Sequence, residues 1–120
     1  MALFSRKKDA VPTPTQGGAL PEHAVILHYK LSDDDYGTEQ EREGVYELQD
    51  RLRRAIRAAS AGEFDGNEIG GGKAVLYMYG HDKDRLWSAV EAEARGCPFR
   101  PAYALLRAGG PGTTPEQVHL

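Results

Sequence analysis

Asp33-Asp34-Asp35 sets three carboxylates in a row, the densest acidic run of the chain. A calcium hand needs acids at alternate positions, glycine at the sixth and a bidentate glutamate at the twelfth. Counted from Asp33, the sixth residue is Thr38 and the twelfth is Gly44, so the run reads as a solvated loop ahead of a helix. Asp65, Asn67 and Glu68 precede Gly70-Gly71-Gly72 and could hold a metal or trade protons. On a strand Asp65 and Asn67 share one face and Glu68 takes the other, which splits the set and favours an edge hairpin carrying solubilising acids. Gly72-Lys73 invites a phosphate-loop reading, but Asn67 stands where its first glycine belongs and Ala74 where its Ser or Thr belongs. His23, His28, His81 and His119 have no zinc-type spacing with Cys97. Cys97 follows a helix C-terminus, whose negative dipole end disfavours a thiolate, so it is a poor nucleophile. The sequence predicts no cofactor and no metal site.

The elements that would position these residues follow from periodicity. Residues 23–31 alternate Val25, Leu27 and Tyr29 with Ala24, Ile26, His28 and Lys30, a strand apolar on both faces and hence central. Residues 38–61 form the longest predicted helix. Thr38 and Glu41 have capping-box spacing, and Val45, Leu48, Leu52, Ala55, Ile56 and Ala59 make one stripe. Gly62 is placed as its left-handed C-terminal residue, and Gly44 as a close approach to the sheet. Residues 63–69 are a weak strand with Gly66 as a bulge or edge signal, turning through glycines into the clear strand 73–79. Asp82 caps a second helix over 83–95 with Leu86, Ala89 and Val90 inward, and Trp87 packs on it or anchors a partner. Residues 101–107 are the last strand.

The predicted order, strand-helix-strand-strand-helix-strand, closes as two right-handed crossovers with strand order 4-1-3-2. Over residues 22–108 it resembles the ferredoxin-like superfold: an α+β, four-stranded antiparallel sheet with two helices on one face. That resemblance covers element order alone and implies no activity. The segment Glu63-Phe64-Asp65-Gly66-Asn67-Glu68-Ile69-Gly70-Gly71-Gly72 is similar to that of a small bacterial family with no attached function. Residues 1–21 read as a disordered tail, with Ala2-Leu3-Phe4 as its one apolar group, and residues 109–120 as a flexible C-terminal tail.

Composition bounds the partners. A hydrophobic fraction of 40% is enough for a packed core, while the apolar runs fall far short of the ~20 residues that cross a bilayer. Net charge is −3, and Arg6, Lys7 and Lys8 against Asp9 make the first ten residues +2, leaving −5 for the rest. An acidic body argues against nucleic acid and gives no support to an anionic membrane. One cysteine allows no internal disulfide, and the start lacks a signal-peptide apolar region, so the expected compartment is the cytoplasm. The most informative surface is the sheet face away from the helices, with His28, Tyr77, Tyr79 and Tyr103 as ligand- or partner-binding residues. An apolar face of this kind seldom stays open in a soluble monomer. The first reading is a non-enzymatic binding or regulatory module that associates with itself or another protein. The alternatives are a small dimeric enzyme or ligand-binding domain with His28 as acid or base in a pocket over the sheet, and, least favoured, a nucleic-acid binder.

Overall fold

The computed structural model describes residues 23–120. The predicted tail of residues 1–21 lies outside the described residues. The chain folds as β1 (His23–Lys30), α1 (Glu39–Ala59), β2 (Glu63–Gly70), β3 (Lys73–Gly80), α2 (Lys83–Gly96), β4 (Ala102–Arg107) and β5 (Glu116–His119). Both helix starts are sealed by side chains. Thr38 accepts from the Glu41 N–H at 3.0 Å while Glu41 returns to the Thr38 N–H at 2.9 Å, completing the capping box. Asp82 accepts from the N–H groups of Asp84 and Arg85. The left-handed residue ending α1 is Ser60, not Gly62: its φ is 50° and its N–H bonds back to Arg57 and Ile56. Gly44 faces the ring of Phe99 rather than the sheet, and a Cβ there would sit 3.1 Å from it.

Val45, Leu48, Leu52 and Ile56 of α1 are buried with Leu86, Val90 and Ala94 of α2 in one cluster. The same cluster holds Val25, Leu27 and Tyr29 of β1, Ala74, Leu76 and Met78 of β3, and Ala102, Ala104 and Leu106 of β4. Both helices therefore cover one side of the sheet. A fully buried leucine contributes roughly 2 kcal/mol, against about 1 kcal/mol for a cap. Packing on this side, more than the caps, holds the helices in place.

The sheet has five strands in the order β2-β3-β1-β4-β5, each antiparallel to its neighbour. This corrects the expected four-stranded sheet. The added strand comes from the stretch read as a flexible C-terminal tail, where Glu116–His119 pairs with β4. Its period is nearly hidden by polar residues, since of the two side chains on the helix side, Glu116 and Val118, only Val118 is apolar, packing on the core with Leu120. The Leu120 N–H bonds the Ala102 carbonyl at 3.1 Å, and Arg95 of α2 donates to the His119 carbonyl at 3.1 Å. Among the described residues no helix is long and apolar enough to cross a membrane.

Candidate functional site

The strand registers fix which side chains share the uncovered face. Glu68, Val75, His28, Tyr103 and His119 form one cross-strand row, and Gly66, Tyr77, Ile26, Leu105 and Gln117 the next. Glu63, Tyr79, Ala24 and Arg107 make a third, with Gly70, Lys73 and Lys30 at the far end. Strand alternation puts the members of these rows on the face opposite Leu27, Leu76 and Ala104. His28, Tyr77, Tyr79 and Tyr103 thus occur together on the side away from the helices. Ala24 and Val75 are buried yet stand outside the helix-side cluster, each in register between two larger side chains. Ile26, Tyr77, Tyr79, Tyr103 and Leu105 are partly exposed.

His28 stacks on Tyr103 across β1 and β4, with ring centroids 4.6 Å apart and planes 8° from parallel. Its Nδ1 is buried with no hydrogen-bond partner among the described residues. Burial holds the imidazole below its usual pKa, and the Lys73 ammonium adds to the effect. A neutral ring is therefore favoured here. Among the described residues no carboxylate orients it: Glu68, the acid of the same row, is two strands away and accepts a hydrogen bond from the Tyr77 hydroxyl. A general base held by an acid partner, the arrangement an acid–base enzyme uses, is absent around His28 among the described residues.

The other chemistry-bearing residues are occupied structurally. Asp33 accepts from the N–H groups of Asp35 and Gly37, both at 2.9 Å, and these bonds hold its carboxyl below the usual range. Its run of acids is thus folded into a loop that Glu41 also ties down through Ser32. A bulge between Phe64 and Gly66 makes Asp65 the extra residue of β2 and breaks the simple alternation expected there. Asn67 points to the helix side and bonds Gln49 of α1, while Glu68 points to the open side. His23 accepts from the first N–H of α2 at 3.0 Å. Cys97 is buried, and burial pushes its thiol up in pKa. Trp87 packs against the core with Arg95 over its ring, 5.9 Å from the centroid. Among the described residues no group of three or more His, Cys, Asp or Glu side chains is placed to hold a metal ion.

The sequence reading missed the charge layout of this face. Glu63 and Glu68 lie along the β2 edge, while Arg107 and His119 lie toward the other edge. The alternation Gln117-Val118-His119 is the signal that would have found the β5 half of it. The chain matches no protein-family model and no curated protein. The likeness of residues 63–72 to a bacterial family therefore gains no support from these comparisons.

Proposed function

We propose that this chain is a non-enzymatic binding module that associates with protein through its open sheet face. The observation that carries the reading is the continuous row of Val75, His28 and Tyr103 beside the row of Tyr77, Ile26 and Leu105, on a face neither helix covers. Faces of this composition, apolar and aromatic with few charges at the centre, are the kind that protein partners bury. A neutral, stacked imidazole fits a surface that is desolvated on binding better than one that moves protons. The fold reading that goes with it is ferredoxin-like: β2-β3-β1-β4 with a helix in each crossover supports that class, and β5 is then an addition at the β4 edge. A single buried thiol suits a reducing compartment such as the cytoplasm.

A photo-crosslinking side chain at Leu105, in the full chain within living cells, tests this. The expected result is a protein adduct at Leu105 that is absent when the same group replaces exposed Glu47 on α1. Equal or absent crosslinking at the two positions would remove the open face as a binding surface.

A further inference from the structure

The charge layout of the open face points to a particular occupant. Two copies can face each other about a two-fold axis lying in the plane between the sheets. If that axis runs along β1, rows meet the same rows, β2 lies over the partner copy's β5, and β3 over its β4. Glu68 then faces His119, Val75 faces Tyr103 and Tyr77 faces Leu105. Arg107 comes over the ring of Tyr79, beside Glu63. Glu63 comes beside the opposite charge of Arg107, and a guanidinium over a tyrosine ring adds a cation–π contact. Lys30 meets Lys30 at the end of the axis, where each ammonium is turned aside to the Leu31 and Asp33 carbonyls and the Asp34 carboxylate. If the axis runs across the strands instead, β2 lies over β2, and Glu63 and Glu68 are set against each other. Like charges opposed in this way are disfavoured. Five strands spaced ~4.8 Å, three of eight residues, one of six and one of four, give a face on the order of 500 Å² before side-chain relief, at the floor of what a stable dimer needs. Aligned packing of two twisted sheets is an ordinary geometry.

We propose that the partner is a second copy of this chain, docked sheet to sheet about an axis along β1, with the Glu63–Glu68 edge of each copy over the Arg107–His119 side of the other. This rests on the binding reading above and names its partner. Sedimentation equilibrium of the purified full chain at physiological salt tests it. The expected result is a monomer–dimer equilibrium in which Glu63→Arg and Arg107→Glu each weaken association about tenfold, while the double swap returns it to within about threefold of the unchanged chain. Arg54→Glu, exposed on α1, changes it less than about twofold, as a charge beyond the Debye length should. Circular dichroism of each variant checks that the fold is kept. A chain that stays monomeric at every concentration overturns the second copy as occupant. The Leu105 crosslink to some other protein would still uphold the binding face in that case, so the two failures are distinguishable. A dimer indifferent to the single reversals, or one the double swap does not restore, overturns the axis along β1.

Discussion

Tyr29 shows how much a single buried hydroxyl can report. It is almost fully buried on the helix side of β1 and donates to the Ala94 carbonyl of α2 at 2.8 Å. The bond ties the central strand to the last turn of the helix above it. Burial pushes the phenol well above its usual pKa, with the Cys97 thiol adding and Arg100 opposing. A phenol raised in the folded state stays protonated there after the unfolded chain has begun to ionise. Its contribution is therefore complete below pH ~10 and is lost as pH rises beyond that. Tyr29→Phe should cost about 1–2 kcal/mol in urea unfolding at pH 7. It should also flatten the fall in stability between pH 9 and 11 that the unchanged chain shows. If that fall is unaltered, other groups carry the alkaline limb. The sequence places Tyr29 on the buried side by alternation, but its partner lies 65 residues away and no local pattern reveals it. His28 divides the same way: its face is readable from period two, whereas its stacking on Tyr103 depends on the β1–β4 register.

At the level of elements, close backbone contacts and edge pairing decide more than propensity. The loop from α1 into β2 crosses the end of β3, and a Cβ on Gly80 would run into the Ala61 carbonyl oxygen. A Cβ on Gly62, at φ 149°, would meet the Tyr79 carbonyl in turn. Gly80→Ala should thus destabilise the fold by about 1–3 kcal/mol, the usual scale of overpacking, measured by thermal or denaturant unfolding. An unchanged midpoint would mean that the loop shifts freely. The helices, the hairpin and the central strands are legible because each carries a strong period or cap, such as Thr38 with Glu41. β5 is not, because its four residues carry one inward apolar side chain, Val118, behind a glycine- and proline-rich run. Ending the chain at Ala108 removes Val118, Leu120 and the bonds to Ala102 and Arg95. The loss should be on the order of 2 kcal/mol from the two partly buried side chains. The strands and helices should persist by circular dichroism. The uncovered edge of β4 should make the shortened chain more prone to aggregate. Unchanged stability and solubility would show β5 to be dispensable to the sheet.

For the molecule as a whole, the sheet separates two environments: a core sealed by both helices, and an outer face whose centre is kept neutral. In the two-fold arrangement proposed above, His28 lies on the axis and meets His28 of the other copy. The groups around it are Lys30 on its own strand, Lys73 and Val75 on β3, Tyr103 on β4, and more distantly Glu68 on β2 and His119 on β5. Its pKa is already held down by burial and then by Lys73. With the folded-state value below the unfolded one, the neutral ring's contribution is present above pH ~6.5 and is lost as pH falls through the depressed value. Acid therefore sets two like charges against each other at the centre of the interface. Glu68 and His119 of the other copy also face each other. That pair sits at the solvated rim, where screening leaves little of its energy, whereas the charges at the centre are desolvated. Association should accordingly weaken as the pH is lowered from 7.5 toward 5. In His28→Gln this acid response should be lost. Sedimentation equilibrium of both chains across this range makes the comparison. An acid response that survives in His28→Gln would place the pH-sensitive group elsewhere and move His28 off the axis.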